Sequence, residues 1–411
     1  MTEQTNPTVA RRTPLKDAIT IIDGLPCALL GQETVALEAC TGRISAVAIQ
    51  PWHPVNHERR ALADGYALAG LQTVGASPYN PLSFRLLGSA APGAPFPGSL
   101  APNTAVRVAM GATLPTGADA VLTPEAAQQL GDRIDVFDAT GPGAWTDTGT
   151  ASRPDSDVPP FPAQRRLRAF DLALLAAQGL QKLSVRCQPR VRILLMSTAP
   201  GVTDATPSSA TEFIDATSPM IRALVKRDGG LIEGCLRLEG DATGLQAELV
   251  RPGADLILTI GGTGMGFNDR TVAIAKESGS LLFHGVSIRP GESVAAVSLA
   301  LAPAILLPGH PVAAASAYEC LAARLVRRLA GRTADWPIPL HRARMARKVS
   351  SALGLTDWCR VRFLDAETVE PLPLSGPPSL MQLAQADGFL LIPPGSEGYA
   401  PDSMVDVHTY P

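Results

Sequence analysis

Residues 255–271 read Asp-Leu-Ile-Leu-Thr-Ile-Gly-Gly-Thr-Gly-Met-Gly-Phe-Asn-Asp-Arg-Thr. The apolar run 256–260 is too short for a helix and is typical of a buried strand. It ends in a glycine turn formed by Gly261, Gly262, Gly264 and Gly266. Asp269 then begins an amphipathic segment, so a strand, a turn and a helix start follow one another and can bring an anion against bare backbone N–H groups. The stretch predicts an anion-binding turn, with a tight turn that holds no ligand as the alternative.

A second glycine turn lies downstream in Leu306-Leu-Pro-Gly-His-Pro311 and also follows a short apolar run. From Val191 onward, apolar strands alternate with amphipathic helices, which predicts a parallel sheet covered by helices on both faces. In such sheets ligands bind outside the carboxyl ends of the strands. Both turns fall at predicted strand ends, so we expect them to form one site.

Length, charge and composition limit the classes of protein to which this sequence can belong. The 411 residues exceed what one hydrophobic core organises, so two to four domains are expected. The net charge of -3 gives no electrostatic argument for binding nucleic acid or an anionic membrane. The cysteines form no Cys-x-x-Cys pair, and no stretch reaches the roughly 18 apolar residues of a membrane span. With no secretory signal visible, we expect a cytoplasmic protein.

The remaining texture predicts a multidomain α/β plus β protein. Helical periodicity at 13–24 and again at 167–179 suggests two helices that pack together in one split domain, because neither could bury its apolar stripe alone. Short apolar runs between prolines and glycines indicate a β-rich domain, and similar spacing near the C-terminus indicates a barrel or sandwich. The predicted boundaries are 1–50 with 141–186 for the split helical domain, 51–140 for the β-rich domain, 187–334 for the α/β domain and 335–411 for the C-terminal β domain.

Several motifs, in order, resemble one known family. Ala61-Leu-Ala-Asp-Gly-Tyr-Ala67 is similar to its Ser-Ala-Met-Asp-Gly-Tyr-Ala, and Val106–Val121 is similar to its Arg-Ile-x-Thr-Gly-Ala segment. Ile288-Arg-Pro-Gly291 and Leu307-Pro-Gly-His-Pro311 stand where the family has Lys-Pro-Gly-Lys and Leu-Pro-Gly-Asn-Pro. Over nearly its full length the chain resembles the molybdopterin molybdenumtransferases, the MoeA and gephyrin E-domain family, as a divergent member.

The resemblance implies a fold and an activity. The fold would be four domains, namely a split helical domain, a β-rich domain, a three-layer α/β molybdopterin-binding domain and a C-terminal β-barrel, in an elongated homodimer. The activity would belong to molybdenum cofactor biosynthesis: adenylylated molybdopterin and molybdate bind, the metal is inserted with the help of Mg²⁺, and AMP is released. A molybdopterin adenylyltransferase and a client molybdoenzyme would be partners, with no nucleic acid and no membrane.

Site residues follow from the matching motif positions. The implied catalytic residues are Asp64, Asp215 and Asp269, and the implied metal ligands are Asp64 and Asp157. The implied cofactor-binding residues are Gly261, Gly262, Thr263, Gly264, Arg289, Pro308, Gly309, Pro311 and Ser379. For Asp64 the alternative role is that of a turn aspartate before a glycine. For Asp215 and Asp269 it is helix N-capping.

Some family positions are replaced in this chain. Met110 stands for a threonine, and Ser197-Thr-Ala-Pro-Gly-Val202 lacks a glutamate that the family has there. The two lysines around Pro-Gly are Arg289 and Glu292. Arg289 can pair with phosphate bidentately, whereas Glu292 reverses a charge and should weaken oxyanion binding.

These replacements leave two other functions open. One is a carrier without catalysis that delivers molybdopterin to a client molybdoenzyme. The other is an adenylyltransferase, because Gly-Gly-Thr-Gly followed by Asp269 resembles the sister MogA-type enzymes.

Overall fold

The computed structural model describes residues 12–26, 30–49, 59–147, 161–177, 179–197, 214–239, 242–266, 269–374 and 379–410. Contacts divide the chain into two compact units. The smaller unit lies within 49–161, and the larger unit combines the described residues on either side of it.

The first helix belongs to the larger unit. Helix α1, Leu15–Asp23, buries Leu15, Ala18 and Ile22 in the core that also holds the long helix near residue 320. It therefore packs on the α/β part of the chain instead of on the second predicted helix. Strand β1, Gln32–Ala36, follows.

The smaller unit is built of β-strands, in agreement with the β-rich texture of its sequence. The strands are β2 Arg60–Ala61, β3 Gly65–Leu68, β4 Leu82–Ala90, β5 Thr104–Val108, β6 Ala120–Leu122, β7 Ala127–Leu130, β8 Arg133–Val136 and β9 Thr146–Asp147. Six of them form a sheet in the order β6-β3-β5-β4-β8-β7, and β2 pairs with β9. Apolar residues cluster separately around Val106 and around Phe84.

The larger unit resumes with helix α2, Ala169–Ala177, and strand β10, Lys182–Arg186, which pairs antiparallel with β1. An ion-pair cluster fixes the start of α2. The side chain of Asp171 is 4% exposed and accepts from Arg165 Nη2 at 2.8 Å, Arg168 Nη2 at 3.1 Å and Arg168 N at 3.0 Å. Burial alone would raise the pKa of Asp171, but these bonds outweigh it and hold the pKa well below its ordinary value.

Replacing Asp171 with asparagine should lower the free energy of unfolding by about 2 kcal/mol at neutral pH, since bonds to a charged group are lost. A depressed folded-state pKa contributes stability above the unfolded-state pKa of about 3.9, and that stability is lost as the pH falls. The difference in the free energy of unfolding between Asp171→Asn and wild type should therefore be smaller at about pH 3 than at neutral pH. Urea unfolding at these two pH values measures the difference. Asp335→Asn, at an exposed side chain, is the control, and an equal deficit at both pH values would contradict the assignment.

The α/β part of the larger unit holds a six-stranded sheet in the order β12-β11-β13-β17-β16-β14. Its strands, with the two-residue strand β15, are β11 Arg190–Ser197, β12 Leu231–Glu239, β13 Leu256–Ile260, β14 Gly279–His284, β15 Ile288–Arg289, β16 Ala295–Leu299 and β17 Pro303–Leu307. Its helices are α3 Thr217–Arg227, α4 Ala242–Val250, α5 Thr271–Ser278 and α6 Pro311–Ala317, which continues through a π turn at Tyr318–Ala322 into α7 Ala323–Leu329.

Only part of this sheet is parallel. Strands β12, β11, β13 and β17 are parallel to one another. At one edge of the sheet β16 pairs antiparallel with β17, and β14 pairs antiparallel with β16. The expectation of an all-parallel sheet is wrong at that edge. The prediction of helices on both faces is confirmed, because Leu258 faces a core with α3 and α6 while Ile257 faces one with α4 and α5.

The C-terminal part closes into a β-barrel. Its elements are β18 Leu340–Met345, β19 Val349–Ser350, β20 Thr356–Phe363, β21 Thr368–Pro371, α8 Leu380–Ala384, β22 Gly388–Ile392, β23 Gly398–Tyr399 and β24 Met404–Thr409. The order β20-β21-β18-β24-β22 closes because β22 also pairs with β20. Strand β15 of the α/β part pairs with β20 in parallel, Arg289 opposite Asp357. This pairing brings the barrel to the edge of the candidate site. Across the described ranges no helix has the length and apolarity to cross a membrane.

Candidate functional site

Strand β13 ends in a turn that requires glycine at two positions. Gly261 has φ of 96° and Gly262 has φ of 67°, a region that side chains other than glycine rarely adopt. A Cβ on Gly262 would lie 2.1 Å from Thr271 Oγ1. That hydroxyl donates to Gly261 O at 3.0 Å, and Thr271 N donates to Gly262 O at 3.1 Å. The start of α5 is therefore held directly on the glycine turn, which confirms the predicted strand, turn and helix.

The two glycine turns lie side by side. Strands β13 and β17 pair in parallel, and Gly261 N donates to Leu307 O at 2.9 Å. A Cβ on Gly309 would lie 3.3 Å from Gly261 Cα. Pro308 is buried, Gly309 is exposed, and Pro311 opens α6. The prediction that both turns meet at the carboxyl edge of parallel strands is confirmed.

Buried Thr263 connects the first turn to the segment that follows β15. Its Oγ1 lies 2.9 Å from Ser293 Oγ, and its carbonyl oxygen lies 2.9 Å from His284 Nε2. Thr263 is only 1% exposed, so in this structure its side chain contributes to the framework of the site and its backbone is the part that borders the turn.

Asp269 and Asp215, the two predicted acids of the α/β part, each accept hydrogen bonds from nearby backbone N–H groups. Asp269 Oδ2 accepts from Gly266 N at 2.9 Å and so closes the glycine turn, while α5 begins without a side-chain cap. Asp215 Oδ1 accepts from Thr217 N and Ser218 N, both at 2.9 Å, which is the N-capping alternative for this residue. Their catalytic roles stay predictions.

A cavity of about 320 Å³ lies next to the second glycine turn, between the α/β part and the barrel. Its ionisable lining residues are Arg289, Glu292, His310, Asp357 and Arg360. Two guanidinium groups and two carboxylates give this cavity a formal charge of zero, with His310 neutral.

Arg289 is committed to a partner in the barrel. Its Nε donates to Asp357 Oδ1 at 2.6 Å and its Nη2 to Asp357 Oδ2 at 2.5 Å. Asp357 is fully buried and also accepts from Ser351 Oγ at 2.7 Å. The hydrogen bonds that Arg289 donates to the Asp357 carboxylate raise the pKa of Arg289. The bidentate edge that the sequence suggested for phosphate therefore faces Asp357, and Nη1 is left for a ligand.

Arg360, the second arginine of the cavity, has hydrogen-bond donors without a partner among the described residues. Its residue is 2% exposed, and its Nη2 donates to Pro373 O at 2.7 Å. Its Nε and Nη1 have no partner within the part of the chain that the structure describes, although its guanidinium carbon lies 6.0 Å from the Trp358 ring centroid. Burial lowers the pKa of Arg360. A buried cation with unsatisfied donors is unfavourable, and an anion in the cavity would satisfy them.

Arg360 and Asp357 were missed in the sequence because nothing in their spacing distinguishes them. They flank Trp358 and Cys359 in a strand that is buried on both faces over 356–361. An arginine inside an apolar run is the one signal that could have pointed to a buried charge.

Glu292 and His310 complete the charged lining. Glu292 Oε2 accepts from Gly291 N at 3.1 Å, so its carboxylate is fixed beside the cavity. His310 precedes α6, and its Nδ1 accepts from Val312 N at 3.3 Å.

The remaining predicted residues either do not line this cavity or lie outside the described ranges. Ser379 caps α8, its Oγ accepting from Met381 N at 3.1 Å. Asp64 lies in the smaller unit, where it is exposed and accepts from Met110 N at 2.7 Å. Asp157 lies outside the described residues. Those residues contain no group of three or more His, Cys, Asp or Glu side chains that could hold a metal ion, so by themselves they do not fit a Mg²⁺ site.

Comparisons with known proteins agree with this architecture. Residues 13–179 match the MoeA N-terminal region (domain I and II), residues 199–328 a probable molybdopterin binding domain, and residues 342–410 the MoeA C-terminal region (domain IV). The chain is 27% identical over 378 residues to a putative molybdopterin biosynthesis protein of Methanocaldococcus jannaschii, covering 89% of each chain. It is 25% identical over 390 residues to the molybdopterin molybdenumtransferase of Staphylococcus aureus, covering 91% of this chain and 90% of that one. A crystal structure of the Pyrococcus horikoshii MoeA protein superimposes with a TM-score of 0.73 at 25% identity, covering 97% and 99% of the two chains.

Fold and site together define a multidomain protein with a molybdopterin-binding α/β domain. The three matched regions follow one another in the order of a single family, and the chain belongs to the MoeA-type molybdopterin molybdenumtransferase family. The resemblance and the fold class inferred from the sequence are confirmed, including the C-terminal barrel. The prediction of an enzyme family is confirmed as well, because relatives carry the name of the transferase.

Proposed function

We propose that the protein acts in molybdenum cofactor biosynthesis by inserting molybdate into adenylylated molybdopterin with release of AMP. The observation that carries this proposal is buried Arg360, which lines the cavity beside the second glycine turn and whose Nε and Nη1 have no partner among the described residues. Tetrahedral molybdate is small enough for a cavity of about 320 Å³. Its oxygens would accept hydrogen bonds from the unpartnered donors of Arg360 and from Arg289 Nη1.

The glycine turns would take the phosphate end of molybdopterin. Gly261 and Gly262 present backbone without a Cβ, and Thr271, the first residue of α5, donates hydrogen bonds to their carbonyl oxygens. Backbone N–H groups at such a turn stabilise the charge that develops on a phosphate when its anhydride bond to AMP breaks. Because Gly261 and Gly309 are in close approach, the same edge of the sheet borders both the phosphate turn and the oxyanion cavity. Holding the two reactants in one complex lowers the entropic barrier to their reaction.

Mg²⁺, the catalytic roles of Asp64, Asp215 and Asp269, and a homodimer remain part of the proposal on the strength of the family resemblance. Relatives named as transferases do not favour the carrier alternative, and a client molybdoenzyme and an adenylyltransferase partner stay predictions.

Purified protein supplied with adenylylated molybdopterin, Mg²⁺ and molybdate should release AMP, and Asp64→Ala should release far less. Asp64 is exposed and its only described side-chain bond is to Met110 N, so the substitution should leave the fold intact. Chromatographic quantification of AMP measures the outcome. AMP release no higher than that of Asp64→Ala would contradict catalysis, and tight molybdopterin binding without AMP would favour the carrier.

A further inference from the structure

The cavity contains one titratable group that can change its charge near neutral pH. Its guanidinium groups, Arg289 and Arg360, are formally balanced by Asp357 and Glu292. A dianion that enters this cavity therefore brings two negative charges into a site with no net positive charge. A site of this kind binds more tightly if it gains a proton, and histidine is the side chain that ordinarily titrates in this range.

His310 is placed to take that proton. It lines the cavity, and its Nδ1 accepts from Val312 N at 3.3 Å. Because Nδ1 accepts, the neutral ring carries its hydrogen on Nε2, which is the nitrogen left free for a ligand. Protonating Nδ1 would replace an acceptor with a donor opposite Val312 N–H.

The charged groups that line the cavity with His310 are of both signs. Arg289 ends β15 and Glu292 follows in the next loop, and Asp357 and Arg360 belong to the barrel strand β20. On the other side of the turn, Thr217 Oγ1 donates to Gly309 O at 3.4 Å, and the acid there, Asp215, is used by the backbone of α3. These charges cancel, so a bound dianion would give the cavity a net negative charge.

We infer that molybdate binding in this cavity is coupled to the uptake of one proton by His310. The bound dianion and Glu292 together stabilise the imidazolium, which compensates for the loss of the bond from Val312 N. The family has a second lysine at the position of Glu292. In this chain the protonated histidine supplies the positive charge that is missing there. The inference rests on the proposed oxyanion site and concerns how that site is charged.

The consequence is a pH-dependent affinity. Molybdate and tungstate are both dianions above neutral pH, so a change in affinity there reports on the protein. Where the free imidazole is neutral and the bound one is charged, the Kd should rise about tenfold for each pH unit. In calorimetry, the heat should depend on the ionisation enthalpy of the buffer, with uptake approaching one proton per molybdate bound.

The experiment titrates the whole protein with molybdate between about pH 7 and pH 9 in two buffers of different ionisation enthalpy. His310→Asn is the matched variant, because an asparagine oxygen can still accept from Val312 N and hold the start of α6. It should bind with an affinity nearly independent of pH and without proton uptake. Glu292→Gln, which removes the opposing carboxylate, should bind molybdate more tightly than wild type at every pH.

Each outcome decides the matter. Binding by wild type without proton uptake would overturn the role of His310 and leave the oxyanion site standing. Uptake that persists in His310→Asn and disappears in Glu292→Gln would assign the proton to the carboxylate and overturn the inference. If wild type binds no molybdate at any pH, the proposed oxyanion site itself is wrong and the inference falls with it.

Discussion

Replacing Arg360 with methionine should raise the KM for molybdate by about a hundredfold to ten-thousandfold. Methionine keeps much of the side-chain volume but removes two charge-assisted donors, each worth about 1.5–3 kcal/mol. Since about 1.4 kcal/mol is a factor of ten, the loss corresponds to about two to four orders of magnitude. AMP release measured against molybdate concentration gives the KM.

The matched control is Arg362→Met, two residues along the same strand. Arg362 is nearly half exposed and pairs with Glu370 at 2.8 Å, so its loss should change the KM little. Binding of molybdopterin to Arg360→Met should stay close to that of wild type, because the glycine turns are untouched. A methionine variant with an unchanged KM would show that molybdate does not depend on the buried guanidinium.

The second large effect is expected at Gly262. An alanine there must adopt φ of 67° and place its Cβ 2.1 Å from Thr271 Oγ1. The left-handed backbone costs about 1–2 kcal/mol, and the overpacking adds about 1–3 kcal/mol. Because α5 is held on this turn, AMP release should fall strongly, and the free energy of unfolding should fall by about 3 kcal/mol. Urea unfolding and the AMP assay measure the two effects.

Gly131→Ala separates backbone strain from collision. Gly131 has φ of 66°, and a Cβ there would meet nothing within 4 Å. It should therefore show the strain alone, about 1–2 kcal/mol, with AMP release preserved. Adding Thr271→Ala to Gly262→Ala removes the colliding oxygen, so the double variant should lose less stability than the two single changes summed. Equal losses for Gly262→Ala and Gly131→Ala would refute the close packing of turn and helix.

The elements that the sequence predicted well are those whose signal is local. The buried strand β13, its glycine turn and the second turn at Gly309 are each contained in a few neighbouring residues, and the parallel pairing of β13 with β17 follows from alternation of strands and helices. The antiparallel strands β14 and β16 were not predicted, because β14 carries polar residues among its apolar ones and no element was assigned between the helix that ends at Ser278 and the strand that begins at Ala304. Nothing local indicates that α1 packs on a helix some 300 residues later.

The site was predictable only in its backbone part. The glycine turns could be predicted from the sequence because backbone conformations with positive φ favour glycine over other residues. The ion pair of Arg289 with Asp357 joins positions 68 residues apart, and the unpartnered donors of Arg360 depend on how the barrel closes beside the sheet. Such contacts between distant segments leave no periodic pattern, so the sequence assigned Arg289 to phosphate and overlooked Arg360.

An anomalous difference map at the molybdenum absorption edge, from crystals grown with molybdate, would locate the oxyanion site. One strong peak should lie inside the cavity, with the molybdate oxygens within hydrogen-bonding distance of Arg360 Nη1 and His310 Nε2. The peak should be absent from crystals of Arg360→Met grown in the same way. A molybdenum peak bound elsewhere on the chain, with this cavity free of anomalous density, would contradict the assignment of the oxyanion site.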